Sequence, residues 1–469
     1  MQKKKWQKKN IFFFTCCLIL PLTTNLFASG FMIPEQGAQA MGQGNTGIAR
    51  GLDASANWYN PATLSQLPKH KKTYALFGFT LINISGKYNG DIPGENQDSE
   101  TETALVPHTY FAHRVLPFLS LGLGINAPFG LVNDWGENWT GQRIVTRVSL
   151  SVTVINPNIV VEIPEFLKKG RLKDLHVAFA AGLNFGFAKV LLSKRVDQSF
   201  VGATTDAYIK IRTPSNKDFL DLDSDPFALN WNAGLLLEWK NIAFGVSYRG
   251  RLVFKIDDAQ ADFYGVTTNL QNTLVDQQVE SRIVTPPLVM LGLAIRPIRR
   301  LELEFAAYWT DWSVFHTVPI LFKNNANLNE TLEENWFDSW AFRFGAKFYL
   351  QGAPKHKEWR KAAKEAPPKY QIYLSLGSFY DNSPVPDTTI SPVLPESDRY
   401  GFMLGGGGKW SFGKMQVGLD TTIMFLFADK RQKYNLVGAE AGSPLERTTA
   451  NGDYESFAFL WGFSISLAF

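Results

Sequence analysis

Apolar and small or polar residues alternate along most of this chain, the period-2 pattern of strands with one apolar face. At the C-terminus Phe457, Phe459, Trp461, Phe463, Ile465, Leu467 and Phe469 hold seven successive odd positions, and Ala458, Leu460, Gly462, Ser464, Ser466 and Ala468, mostly small, fall between them. Trp340, Phe342, Phe344, Ala346 and Phe348 alternate with Ala341, Arg343, Gly345 and Lys347. Ile242 to Arg249 and Met415 to Ile423 repeat the pattern. The alternation predicts fourteen strands, over roughly 71–86, 104–114, 118–129, 146–162, 174–194, 226–240, 241–256, 281–297, 300–314, 338–350, 369–380, 400–411, 414–428 and 453–469.

The connections between these strands decide which solvent the apolar faces meet. Long ones (87–103, 130–145, 195–225, 257–280, 315–337, 381–399, 429–452) alternate with short ones at 115–117, Lys240–Asn241, 298–299 and 412–413 and intermediate ones at 163–173 and 351–368. Even strand number with short turns on one side and long loops on the other is the signature of a closed outer-membrane barrel. Closure matters because lipid offers no partner to an unpaired backbone edge. The predicted fold class is therefore all-β transmembrane, an antiparallel barrel over 71–469 with Phe, Leu and Trp toward lipid. Arg249, Arg343 and Lys347 then fall on the lumen side, as a salt-bridge lattice or as ligands for a charged headgroup.

Residues 1–28 read as a secretory signal: Lys3, Lys4, Lys5, Lys8 and Lys9, a 12-residue apolar run from Ile11 to Leu22, and a small residue at Ala28. That run falls short of the roughly 20 residues a spanning helix needs. The segment holds both cysteines, five of the 47 basic residues and none of the 43 acidic ones, leaving 42 against 43 beyond it. A near-neutral chain offers no electrostatic reason to bind nucleic acid. The six histidines show no metal-ligand spacing, and Trp410 stands where a phosphate loop at Gly405–Lys409 would require Ser or Thr. Neither an enzyme nor a cofactor is expected. Those glycines instead leave lumen space or permit curvature.

Residues 29–70 lack strand character, are rich in small residues and suggest short helices near Gln36–Met41 and Asp53–Trp58. Forty residues are too few for a separate domain, and the economical placement is inside the barrel as a plug, a periplasmic tail being the alternative. Phe31, Met32 and Ile33 form its apolar tip. Asn60-Pro61-Ala62 fixes a turn that holds it, because a residue before proline is restricted to extended backbone.

Gly30-Phe31, Glu35-Gln36, the small-residue run and Asn60-Pro61-Ala62 together resemble the FadL/TodX family of outer-membrane transporters for hydrophobic compounds. The resemblance continues through Ala127-Pro128-Phe129-Gly130-Leu131, Trp139, Gly141, Ile155-Asn156-Pro157, Phe244 to Arg249 and Trp309 to Ser313, and ends in the terminal aromatic strand. It implies a monomeric fourteen-stranded barrel closed by an N-terminal hatch. A long-chain fatty acid or another hydrophobic molecule would be captured in a groove of external loops and pass to a lumen pocket near the hatch N-terminus. It would leave sideways into outer-membrane lipid through a gap at the kinked third strand. Relatives divide between fatty acids and aromatic hydrocarbons. A general porin and a surface adhesin are the alternatives from other classes.

In this chain the third strand meets Asn126-Ala127-Pro128-Phe129, and Pro128 marks either the wall opening or a strand end. The loops corresponding to the capture groove carry Phe200 and Phe219 in 195–225, and Phe263, Tyr264 and Leu270 in 257–280.

Overall fold

A computed structural model describes residues 30–164, 170, 174–214, 221–222, 224–365, 368–438 and 449–469. The expected signal, 1–28, and Phe219 lie outside the described residues. The alternating segments become one closed antiparallel ladder of fourteen strands. They are β1 (Thr73–Gly90), β2 (Glu102–Leu116), β3 (Leu119–Asp134), β4 (Arg147–Glu162), β5 (Leu175–Val196), β6 (Phe227–Trp239), β7 (Ile242–Arg249), β8 (Leu288–Ile298), β9 (Leu301–Thr310), β10 (Ser339–Gln351), β11 (Tyr370–Asp381), β12 (Arg399–Phe412), β13 (Met415–Ala428) and β14 (Gly452–Ala468). The ring shuts where β1 pairs β14, from Tyr74 opposite Ala468 to Gly90 opposite Gly452. No helix among the described residues is long and apolar enough to cross a membrane.

The faces sort by parity. Phe342, Phe348, Phe457, Phe459 and Trp461 are exposed on the outside, while Arg249, Arg343 and Lys347 are buried on the inside. A cation on the lipid face near midplane would cost roughly 2–4 kcal/mol, which explains the segregation.

Two expected strands and one expected loop are corrected. The segments 241–256 and 281–297 each break, at Gly250–Arg251 and Pro286–Pro287, and half of 257–280 is strand. Strands Leu252–Tyr264 and Gln277–Thr285 pair with each other above the ring. They also pair with Ala207–Arg212 and Thr317–Phe322, building a small β cap over that side of the barrel. The proline pair supplies no N–H for a ladder, so the sheet must break there.

The barrel interior is filled by residues 30–67, nearly all buried. Two one-turn helices, α1 (Ala38–Met41) and α2 (Ala56–Tyr59), and a 3₁₀ turn over Pro61–Gln66 carry this segment across the lumen. Lumen-facing glycines make the room. A Cβ at Gly245 would strike the Ile48 carbonyl, one at Gly377 the Gly44 backbone, and one at Gly405 the Ser375 hydroxyl, 3.0 Å from the Gly42 Cα. Gly405 thus leaves lumen space. Strand hydroxyls hold α1: Ala38 N–H donates to Ser464 Oγ (3.1 Å) and Thr422 Oγ1 donates to Ala38 O (2.7 Å).

Candidate functional site

The wall is split between β2 and β3. Their pairing runs only from Leu116 opposite Leu119 up to Thr109 opposite Ile125. Above that, β2 stays with β1 through Glu102 while β3 stays with β4, bulging where Asn126 and Phe129 bracket two unpaired positions. Pro107 and Pro128, which carry no N–H, stand on the two strands at the split. At the top the walls are rejoined by a hydrogen bond from Glu100 N to Asp134 O (2.8 Å) and by Arg147 of β4, which pairs with both Glu102 of β2 and Asp134 of β3 (2.7 Å each). The result is a framed window, and Pro128 lies within β3 rather than at its end.

The tip of the N-terminal segment occupies the edge of β3 that β2 leaves free. Ile33 N–H donates to Pro128 O (2.8 Å), Gly130 N–H donates to Phe31 O (2.9 Å), and Met32 bridges Phe129. Gln36 Nε2 donates to Ala127 O (2.9 Å). Asn126 is buried with neither side-chain polar atom bonded.

Phe31 enters an aromatic cluster from the β9–β10 connection, with centroids 4.8 Å from Trp312, 5.4 Å from Phe315 and 5.9 Å from Trp336, and 6.0 Å from Phe129 of β3. Gly30 precedes it at φ 57°, and any side chain there would overlap the Trp312 ring. Phe31, Leu131, Leu150 and Leu394 belong to the shared wall of two cavities. The outer one, about 120 Å³, is lined by Val148, Leu192, Ile283, Ile320, Leu332 and other apolar groups of the cap, with Glu334 and Arg212 among them. The inner one, about 420 Å³, runs past Met32, Ile33, Ala127 and Phe129 to the window. Its lining includes Leu105, 61% exposed on the lipid side of β2.

Acids outnumber cations along the inner cavity: Glu35, Glu100, Glu102, Asp381, Glu396 and Glu455 against Arg399. Arg399 lies 3.4 Å from Glu396 and 3.8 Å from Asp381. In the outer cavity, burial pushes the Glu334 carboxyl up to about 7, against the opposing hydrogen bond from Trp336 Nε1 (2.8 Å).

The three candidate headgroup cations line neither cavity. Arg249 lies over the Trp58 ring (4.0 Å) and donates to the carbonyls of Asn57 (2.9 Å) and Trp58 (2.5 Å), closing the C-terminal end of α2, and to Asn184 Oδ1 (2.8 Å). Arg343 donates to Asp381 (3.0 Å) and Lys347 sits over Tyr373 (3.7 Å). Parity put them in the lumen, but only the threading of the plug decides what they meet. Asn60-Pro61-Ala62 holds that plug: Asn60 Nδ2 donates to Ile48 O (2.7 Å) and Leu235 O (3.0 Å), and its Oδ1 accepts from Ala62 N–H (3.1 Å).

The described external-loop candidates, Phe200, Phe263, Tyr264 and Leu270, also lie off both cavities. Phe200 and Tyr264 are exposed, Phe263 packs against Phe322, and Leu270 is buried with Ala207 and Leu274. The cap's own strands consume the apolar residues of these loops. Sequence reasoning missed Trp312, Phe315, Trp336, Arg399 and Glu334. A usable signal was the aromatic density of one long connection, 311–337, which no outward-facing strand explains.

At the opposite end of the lumen the short-turn side is sealed. Arg50 of the plug pairs with Glu302, Arg296 Nε donates to Glu302 (2.9 Å), and Tyr349 OH donates to it (3.0 Å). Trp359, from α3 (Trp359–Lys364), lies under both guanidiniums at 4.7 and 3.9 Å.

Among solved structures, a Pseudomonas aeruginosa FadL homologue matches with a TM-score of 0.73 at 17% identity, covering 94% of this chain and 99% of that one. The Pseudomonas putida toluene transporter TodX gives 0.58 at 14% identity, over 95% and 98%. At these identities the likeness is one of fold. The long-chain fatty acid transport protein of Escherichia coli O6:H1 is 21% identical over 96% of each chain. Outer membrane protein P1 of Haemophilus influenzae is 20% identical over 76% of this chain and 83% of that one. The profile of the outer membrane protein transport family (OMPP1/FadL/TodX) matches residues 19–357, and the chain belongs to that family, as an outer-membrane transporter of hydrophobic compounds and not an enzyme.

Proposed function

We propose that this barrel takes a long-chain fatty acid or a similar hydrophobic molecule from outside through the apolar outer cavity. The molecule then passes Phe31 into the inner cavity and leaves sideways through the window between β2 and β3. Residues 29–70 are the hatch of this scheme and 71–469 its barrel. The observation that carries the reading is the pairing of Phe31–Ile33 with the free edge of β3, since one short segment both separates the cavities and lines the window. Withdrawing Phe31 from its ring cluster costs about 2–3 kcal/mol of apolar burial, and its two neighbouring backbone bonds about 1 kcal/mol each. An apolar ligand filling the vacated space offsets that cost. A monoaromatic or other uncharged substrate is the second reading, and the acid-rich inner lining favours it, because a carboxylate would meet Arg399 already flanked by Asp381 and Glu396.

Deleting Ser29 to Ile33 tests the route. The ladder stays closed, so folding should persist. Hydrophobic uptake into cells should fall several-fold while single-channel conductance rises only slightly, the rest of the plug still filling the lumen. Unchanged uptake would remove Phe31, Met32 and Ile33 from the substrate path, and a large rise in conductance would identify a pore blocked by this segment alone. Competition between dodecanoate and toluene for uptake separates the two substrate classes.

A further inference from the structure

The short-turn end of the barrel carries a collar of cations set directly beside its lipid-facing aromatic and aliphatic side chains. At the β6–β7 turn exposed Trp239 is followed by Lys240, whose Nζ lies 4.8 Å from the indole centroid. At the β8–β9 turn Ile298, 55% exposed, is followed by exposed Arg299 and Arg300. Exposed Lys414 follows Phe412, 60% exposed, at the β12–β13 turn, and exposed Lys369 precedes exposed Tyr370 at the start of β11. Exposed Lys72 donates its backbone N–H to the carbonyl of exposed Phe469 (2.8 Å). Among the described residues Lys72, Arg299, Arg300, Lys369 and Lys414 make no ion pair. The long turn at 353–368 adds five more Lys or Arg against two Glu.

The opposite rim has the other sign. Connection 91–101 holds Asp91, Glu95, Asp98 and Glu100, and 257–280 holds five acids, with no Lys or Arg in either. The charge is therefore sorted along the barrel axis, since the chain beyond residue 28 is nearly neutral.

We propose that this collar binds the anionic headgroups of phospholipids in the inner leaflet of the outer membrane. The inference rests on the orientation in the transport reading, with short turns toward the periplasm. Exposed aromatic and aliphatic residues at strand ends mark the hydrocarbon boundary. Cations one or two residues beyond them stand at headgroup depth, within reach of a phosphate whose acyl chains lie along the adjacent apolar wall. A soluble anion would have no use for that apolar neighbour. The encircling placement, one turn after another, fits a ring of lipids better than a single docked protein.

The test is lipid retention by the full-length barrel. Purified from mixed micelles of phosphatidylglycerol and phosphatidylcholine at equal abundance, the wild type should retain phosphatidylglycerol in at least about threefold excess, falling with added salt. The quadruple variant Lys240→Gln, Arg299→Gln, Arg300→Gln, Lys414→Gln should retain the two lipids equally. Glycerol phosphate in solution should not compete, because it lacks the chains. Equal retention by the wild type overturns the proposal and needs no variant to fold. Competition by glycerol phosphate, or tight binding of a soluble polyanion without lipid preference, also overturns it. Uptake of hydrophobic probes by wild-type cells is scored in parallel, so loss of the transport reading and loss of the lipid site are told apart.

Discussion

At the scale of single residues, the interior shows how a buried cation can be fully occupied without serving a ligand. Arg249 spends its donors on two carbonyls at the end of α2 and on an asparagine, with its flat face against Trp58. Guanidinium geometry suits this, being planar and rigid. Glu334 is the reverse case, a carboxyl held in an apolar setting with one indole N–H as its bond. Its carboxyl is raised to about 7, so the neutral form belongs to the packed cap. The linkage sign follows: the stabilising contribution is complete below the ordinary carboxylate range and is lost as pH rises through about 7. Protease nicking of 311–338 should therefore increase between about pH 5 and 8, and Glu334→Gln should flatten that profile. A profile unchanged in Glu334→Gln would show that this carboxyl is not its source.

At the scale of elements, all fourteen ring strands were legible, because one face meets lipid and a one-residue slip would turn every side chain over. What lay above the membrane was not legible. Leu252–Tyr264 and Gln277–Thr285 face neighbouring strands and cavity rather than lipid, and their pattern is broken by Asp257 and Asp258 at the bulge between Ile256 and Ala259. The site was half legible. Asn126 to Phe129 and Phe31 to Ile33 could be named from proline chemistry and an apolar tip, but their mutual pairing joins segments nearly a hundred residues apart. Gly130 tests that joint. A Cβ there would lie 2.8 Å from Ile33 Cδ1, and overpacking of this kind costs about 1–3 kcal/mol. Gly130→Val should keep the heat-resistant compact mobility of the folded barrel, whose ladder to Ser151 is untouched. It should weaken binding of a hydrophobic fluorescent probe about tenfold. Unaltered affinity would mean that Ile33 does not help form the ligand site.

At the scale of the whole molecule, the two ends of the lumen are built to different specifications. The outer end offers apolar cavities and a displaceable ring, while the far end is a closed stack of Arg50, Trp359 and Arg296 on one buried carboxylate, Glu302. Each cation–aromatic contact contributes about 2 kcal/mol when desolvated. The asymmetry fits the sideways exit proposed above. Trp359→Ala should raise small-ion conductance in planar bilayers without improving hydrophobic uptake, since on the proposed sideways route the substrate does not pass the stack. Equal gains in both would place the substrate route through the periplasmic end.

The seam between β1 and β14 sets a condition on how such a molecule can be made. Its strands are the first and last of the ring, so the longest loop in the chain closes in that single step. Residues 30–67 precede β1, and their contacts spread around the ring, from Ser464 on β14 to Leu235 on β6 and Glu304 on β9. A segment bonded to so many separate staves is best enclosed as the cylinder forms, with its strand partners curling around it. Biogenesis would then proceed around a core that belongs to the nascent chain itself, and the glycines that clear space in the wall would let the staves close on it.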